Sequence, residues 1–128
     1  MRLLLDSHAF IWYADDSTRL STTARNTIKD PANEIWVSAV SAWEIAIKVG
    51  IGKLKLPVSF DELFPGRLHS LGFRFLPFEL MHIKEMLKLP LHHGDPFDRL
   101  LIAQVRVEGM SFVSCDPHAA AYGVPLIW

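Results

Sequence analysis

Short runs of strand-type apolar residues alternate with longer amphipathic segments along the whole chain. Continuous apolar runs are typical of strands buried on both faces, and apolar residues at helical spacing indicate helices. The predicted strands cover residues 2–6, 34–40, 73–78, 111–116 and 124–128. The predicted helices lie near residues 18–30, 39–49, 59–70, 79–88 and 95–109. This alternation predicts an α/β fold with a mainly parallel sheet.

Proline and glycine refine the helix boundaries. The segment "STTARNTIKDP" begins with residues that favour helix N-termini and ends at Pro31, as a helix should. Pro65 and Gly66 interrupt the segment 59–70, so we expect that helix to break or kink there.

Composition indicates a single globular domain over residues 1–128. Half of the residues are hydrophobic and 21% are charged, which is typical of a folded chain with a buried core. The formal net charge is -1, from 13 basic and 14 acidic residues. This balance argues against a strongly basic nucleic-acid-binding surface, although a local patch or a bound metal could still hold phosphate.

The chain has a single cysteine, Cys115, which we interpret as a packing residue inside a buried strand end. It cannot form an intrachain disulfide, and we expect a reducing compartment. The N-terminal "MRLLLDS" is too short for the apolar core of a signal peptide. No apolar run approaches the ~18 to 20 residues of a transmembrane helix. We therefore expect a soluble cytoplasmic protein with no membrane partner.

Four acidic residues fall near the predicted carboxyl ends of strands. Asp6 ends the first strand and Asp116 the fourth, while Glu44 lies one to two turns into the helix after the second. Asp98 lies in the first turn of the helix that leads into the fourth strand. Ligands of parallel α/β sheets bind beyond the carboxyl ends of the strands. The topology therefore predicts that these carboxylates share one edge of the sheet.

Each acidic residue also has a purely structural interpretation. Asp6 and Asp116 could cap the segments that follow them, and Glu44 could pair with Lys48 one helical turn later. In "HHGDPFDRLLIAQ", Asp95 suits an N-cap, the proline suits the first helical position, and Asp98 favours the positive end of the helix dipole. We interpret Asp95 mainly as a cap, and Asp98 as a residue with both roles.

Because carboxylates repel one another, the four acidic residues together are more informative about function than any one of them. Two carboxylates ~5 Å apart repel by roughly 3 kcal/mol at an effective dielectric constant near 20. Several carboxylates at one edge therefore need a compensating cation or must be partly protonated. An all-oxygen acidic cluster suits Mg²⁺ or Mn²⁺, which retain waters and bind phosphate oxygens.

Four stretches together resemble the PIN-domain family, and in particular its VapC-type toxins from toxin–antitoxin pairs. They are "LLLDSHAFIWY", "IWVSAVSAWEIAIKVGIGKL", "HHGDPFDRLLIAQ" and "SFVSCDPHAAAYGVPLIW". The family's metal-binding acids fall on Asp6, Glu44, Asp98 and Asp116, with Asp95 as a neighbouring carboxylate of lower rank. Ser7 and Ser114 stand where many relatives have threonine, which keeps the hydroxyl group.

The resemblance implies an α/β/α sandwich and a metal-dependent endoribonuclease that acts as a toxin. It also implies a homodimer, an RNA substrate and a cognate antitoxin. One or two Mg²⁺ or Mn²⁺ ions would bind the scissile phosphate and activate water for in-line attack. The hydroxyl groups of Ser7, Ser38 and Ser114 could orient carboxylates or waters around such a site.

Other functions fit the same residues less well. A receiver-like signalling domain would need paired acids after the first strand and a lysine near the last strand. Here Asp6 stands alone after the first strand, and the last predicted strand, "VPLIW", contains no lysine. "VGIGKL" lacks the earlier glycine and the final Ser/Thr of a phosphate-binding loop. A catalytically silent PIN-like binding module remains an alternative, although it has no reason to keep all four acids. His8, His92 and His93 could touch metal or phosphate but are interpreted mainly as surface residues.

Overall fold

The computed structural model of the chain describes residues 1–92 and 94–128. Within them, a five-stranded sheet has the order β3-β2-β1-β4-β5, and all its neighbouring pairs are parallel. The strands are β1 (Arg2–Leu5), β2 (Glu34–Ser38), β3 (Arg74–Leu76), β4 (Ser111–Val113) and β5 (Leu126–Ile127). The predicted α/β fold with its parallel sheet is confirmed, and each strand is shorter than predicted.

Helices connect the strands of the sheet. The α-helices are α1 (Ser7–Ala14), α2 (Thr22–Lys29), α3 (Ala39–Gly50), α4 (Leu68–Ser70), α5 (Leu80–Lys88) and α6 (Pro96–Glu108). A kinked segment, Glu62–Arg67, precedes α4, and a 3₁₀ helix, Pro117–Tyr122, follows β4. In the part of the chain that the structure describes, every helix is too short or too polar to cross a membrane.

The predicted helix over residues 59–70 is interrupted, as Pro65 and Gly66 indicated. Phe64 has extended backbone angles (φ -127°, ψ 113°) just before the proline, so the chain turns there instead of continuing as one helix.

Buried leucines of β1 show how the two faces of the sheet are covered. Leu3 and Leu5 are fully buried in one apolar cluster with Phe10 of α1. Leu4 points to the opposite face and packs in a second cluster with Leu101 of α6. Helices therefore cover both faces of the sheet, and the α/β/α sandwich is confirmed.

The strand order reverses at β1, since β2 and β3 lie on one side of it and β4 and β5 on the other. A crevice forms at such a reversal, because the connections leave the carboxyl ends of the two central strands in opposite directions. Helix α3 packs against both α1 and α6 near this point. The fold thus brings the ends of β1 and β4 and the helices α3 and α6 to one edge of the sheet.

Candidate functional site

A cleft with a volume of about 190 Å³ opens at the reversal of strand order. Its described lining residues are Asp6, Ser7, His8, Glu44, Lys48, Asp95, Asp98, Cys115 and Asp116. The structure therefore places the four acids of first rank and the neighbouring Asp95 around the same cleft. Five carboxylates face one permanently charged ammonium among these described residues, so the cleft is strongly acidic.

Asp6 lies deepest at the junction of β1 and α1. It caps α1, and its Oδ1 accepts a hydrogen bond of 2.7 Å from the Ala9 N–H. Burial raises the pKa of the Asp6 carboxyl above its ordinary value, although hydrogen bonds from Ser114 and Ala9 favour the ionised form. The nearby negative charge of Glu44 raises that pKa further. A cation in the cleft would stabilise the ionised carboxylate against both effects.

Glu44 lies on α3 and is 4% exposed. Its Oε1 accepts a hydrogen bond of 2.5 Å from the Ser7 hydroxyl, which joins α3 to the first turn of α1. Its Oε2 accepts a hydrogen bond of 2.6 Å from the Lys48 ammonium. Both oxygens of this buried carboxylate therefore have protein partners.

Asp95 and Asp98 enter the cleft from the N-terminus of α6. Asp95 is the N-cap, and its Oδ1 accepts hydrogen bonds from the N–H groups of Phe97 (2.9 Å) and Asp98 (3.4 Å). Pro96 occupies the first turn, where its missing N–H leaves no helical bond unmade. Asp98 lies in the same turn, where the helix dipole favours negative charge. The expected capping role of Asp95 is confirmed.

Asp116 approaches from the end of β4. It caps the 3₁₀ helix by accepting a hydrogen bond of 2.9 Å from the His118 N–H. Its own N–H donates to the Ser114 hydroxyl oxygen at 3.0 Å. Since Ser114 also donates to Asp6, this buried serine connects the two acidic residues that follow β1 and β4.

Lys48 interacts electrostatically with acidic residues of both α3 and the N-terminus of α6. Burial favours a lower pKa for the ammonium, but the hydrogen bond to Glu44 and the charges of Glu44, Asp95 and Asp98 outweigh it. The pKa of Lys48 is therefore raised, and the side chain is firmly protonated.

The carboxylates share the cleft without forming a closed coordination shell. Among the described residues, no three His, Cys, Asp or Glu side chains lie close enough together to hold one ion. The all-oxygen donor set and the excess of negative charge fit Mg²⁺ or Mn²⁺, since Mg²⁺ keeps several waters and takes only one or two protein carboxylates directly. This spacing is compatible with a hydrated Mg²⁺ that contacts one or two of the carboxylates directly.

The remaining candidates divide between the cleft and the core. Ser7 and Ser114 hydrogen bond to cleft carboxylates. Ser38 does not line the cleft, because its hydroxyl caps α3 and donates to the buried Gln104 side chain. His8 lines the cleft, whereas His92 packs edge-on against a tyrosine ring and does not.

One candidate of the sequence lies outside the described residues, and one interpretation was wrong. His93 is the residue that the structure does not describe. Cys115 was interpreted as packing within a buried strand, but β4 ends at Val113 and the thiol is exposed at the cleft. The shorter strand explains the difference, since a residue beyond the last sheet hydrogen bond no longer alternates between buried faces.

A family model described as the PIN domain matches residues 3–124. The chain belongs to the PIN domain family. The resemblance found in the sequence is thereby confirmed at the level of the family. No curated protein matches the chain.

Solved structures with the same fold cover this PIN domain almost completely. VapBC2 from Rickettsia felis, bound to a DNA fragment from its promoter, has a TM-score of 0.67 at 14% identity and covers 98% of this chain and 97% of its own. FitAcB from Neisseria gonorrhoeae has a TM-score of 0.65 at 14% identity, with 97% and 95% covered. VapC20 from Mycobacterium tuberculosis, described as a Sarcin-Ricin loop cleaving toxin, has a TM-score of 0.65 at 12% identity, with 95% of each chain covered. At these identities the likeness establishes the fold alone.

Proposed function

We propose that this PIN domain is a metal-dependent endoribonuclease and the toxin of a toxin–antitoxin pair in the cytoplasm. The observation that carries the proposal is the cleft itself, in which five carboxylates from four separate segments face one lysine among the described lining residues. Gathering so much negative charge beside a buried carboxylate is unfavourable unless a cation compensates it. A metal-dependent nuclease uses such a cation to bind phosphate, and this role would account for the clustered carboxylates.

Asp6, Glu44, Asp98 and Asp116 are the residues that we propose as metal ligands, directly or through water. A bound Mg²⁺ or Mn²⁺ would supply Lewis acidity and lower the pKa of a water molecule for in-line attack on phosphorus. Asp6 is held by its capping bond to α1, and its orientation is thus fixed before any ligand binds.

The serine hydroxyls would keep the carboxylates in position. Ser7 orients Glu44, and Ser114 orients Asp6 while accepting from the Asp116 N–H. Partners of this kind raise ligand basicity and limit motion, and their loss typically lowers metal affinity or activity by ~10- to 100-fold. Asp95 would contribute negative charge while its Oδ1 remains engaged in the cap.

An RNA substrate and an antitoxin partner are supported by the similar structures. VapC20 is described as a toxin that cleaves the Sarcin-Ricin loop, and VapBC2 is described in a complex with promoter DNA. We propose that this chain likewise cuts RNA and is restrained by a small partner protein encoded beside it. The partner would place a basic residue against the acidic cleft, because that charge arrangement mimics the cation.

A homodimer is also part of the proposal. Apolar side chains are exposed along α5 and just after it: Leu80, Met81, Leu87 and Leu91 are 50–82% exposed. Exposed apolar patches mark interfaces, and two-fold dimers are the commonest closed assembly. Light scattering at tens of micromolar should give twice the mass of 14.5 kDa. A strict monomer that also fails to co-purify with the product of the adjacent small gene would contradict both partner proposals.

Cleavage of RNA by purified variants tests the activity. Wild-type protein should cut RNA with Mg²⁺ or Mn²⁺ and not with EDTA, while Asp6→Asn and Asp98→Asn should lose activity and keep their fold. Asp61→Asn is the matched control, since Asp61 is exposed, makes no capping bond and does not line the cleft. Full activity of both cleft variants in nuclease-free preparations would rule out the proposed site.

A further inference from the structure

The Glu44–Lys48 ion pair joins a buried charge to a partly exposed one. The two residues are one turn apart on α3, and the Lys48 Nζ lies 2.6 Å from the Glu44 Oε2. The glutamate side chain is 5% exposed and the lysine side chain 33% exposed. The ammonium therefore sits on the solvent side of the carboxylate, and both residues line the cleft.

The surroundings distinguish this pair from an ordinary helix-surface pair. Glu44 is also held by the Ser7 hydroxyl of another helix, and the Lys48 ammonium is under the influence of Asp95 and Asp98 from α6. A surface pair at this spacing stabilises its own helix and nothing else. Lys48 instead places its charge among three carboxylates from two helices, and all three line the cleft with it: Glu44, Asp95 and Asp98.

A divalent ion that approaches Glu44 must therefore meet an ammonium already bound there. Oε1 accepts from Ser7 and Oε2 from Lys48, and an ion that takes over Oε2 has to displace the lysine. Two cations cannot share that oxygen at close range without strong repulsion. The lysine stem is flexible and its head is partly solvated, so the ammonium can rotate away while Glu44 stays in place.

We propose that Lys48 is a displaceable counter-ion of the metal site: its ammonium binds Glu44 in the metal-free protein and competes with the divalent ion for that carboxylate. The inference rests on the proposed function, because it concerns regulation of the same site. Lys48 thereby sets the cation concentration at which the site fills, and it prevents Glu44 from remaining a buried charge without a counter-ion before the ion arrives. It is a positioning residue and takes no part in the bond-breaking step.

Calorimetric titration with Mn²⁺ in the absence of RNA tests the competition directly. Lys48→Met should bind Mn²⁺ more tightly than the wild type by up to about fivefold, which corresponds to the upper end of the contribution of one partly exposed ion pair. Lys48→Arg keeps the charge and should stay close to the wild type. Lys84→Met removes the same charge from an exposed position on α5 that does not line the cleft, and it should leave the affinity unchanged. Thermal melting of each variant verifies the fold, and Lys48→Gln replaces Lys48→Met if the latter unfolds.

A double-mutant cycle locates the effect at Glu44. In a Glu44→Gln background, adding Lys48→Met should change the Mn²⁺ affinity by less than about twofold, because the shared carboxylate is gone. Equal tightening in both backgrounds would show a general charge effect and overturn the proposal. Unchanged or weaker binding by Lys48→Met would overturn it as well, while the proposed function survives if Asp6→Asn abolishes Mn²⁺ binding. A wild type that binds no Mn²⁺ would overturn the proposed function together with this inference.

Discussion

Replacement of the Asp6 carboxylate by an amide should stabilise the metal-free protein at neutral and alkaline pH. Asp6 is 8% exposed, and burial raises the pKa of its carboxyl above the ordinary value of 3.8. The folded state therefore holds the Asp6 proton to a higher pH than the unfolded state does. The stability contributed by the protonated form is lost as the pH rises from about 4 through the pKa of Asp6 in the folded state. At a pH above that pKa, the folded state carries the full free-energy cost of the buried Asp6 carboxylate.

The size of the effect follows from linkage and from the cap. Each pKa unit by which the folded value exceeds the unfolded one corresponds to about 1.4 kcal/mol, or roughly 5 °C in Tm for a chain of this size. Asn is as good an N-cap as Asp, so the 2.7 Å bond from Ala9 can persist in Asp6→Asn. Asp6→Ala loses that bond as well, and it should be less stable than Asp6→Asn by about 1 kcal/mol.

Urea denaturation in EDTA between pH 4 and pH 8 measures both effects. Asp6→Asn should show a higher free energy of unfolding than the wild type at pH 8, and the difference should shrink toward pH 4. The exposed Asp61→Asn control should differ from the wild type by less than about 0.5 kcal/mol at each pH. An Asp6→Asn protein that is less stable than the wild type at pH 8 would refute the claim that the buried charge is unfavourable without a cation.

Further expectations concern the metal and two structural positions. Mn²⁺ at about 100 times its Kd should stabilise the wild type by about 2.7 kcal/mol in calorimetric melting, and the shift should vanish in Asp6→Asn/Asp98→Asn. Gly109 ends α6 at φ 65°, so Gly109→Ala should cost about 1 kcal/mol in urea denaturation, whereas Gly50→Ala, with open space around it and no positive φ, should not destabilise. Arg99 donates to three carbonyl oxygens at the end of α5 and beyond, so Arg99→Met should lower the free energy of unfolding by about 1–3 kcal/mol without changing Mn²⁺ affinity.

Local sequence was enough to predict the five strands, most of the helices and the cap at Asp95, although helix α1 (Ser7–Ala14) was not among the predicted helices. The five strands all lie within the predicted segments, because buried parallel strands need continuous apolar runs that few other structures produce. The cap at Asp95 depends only on residues within one turn, and so does the break at Pro65. Strand alternation with helices also predicted the edge at which Asp6 and Asp116 meet, since topology confines the carboxyl ends of parallel strands to one side.

Tertiary structure decided the contacts that give the acidic residues their properties. Ser7 reaches Glu44 across 37 residues of sequence, and Ser38 reaches Gln104 across 66. All three serines share similar local patterns beside strand ends, yet two orient cleft carboxylates and Ser38 joins the core. A hydroxyl takes whichever acceptor the packing brings within about 3 Å, and no short-range preference encodes that choice.

The exposure of Cys115 and the charge balance of the cleft are likewise decided by tertiary packing and not by local sequence. The i,i+4 spacing of Glu44 and Lys48 permitted their ion pair, but the burial of one partner and the carboxylates of α6 around the other come from helix packing. Spacing along a helix fixes which side chains are neighbours on that helix. The dielectric surroundings and the charges of other segments, which set pKa values and cation affinity, exist only once the sheet and its two helical layers have assembled.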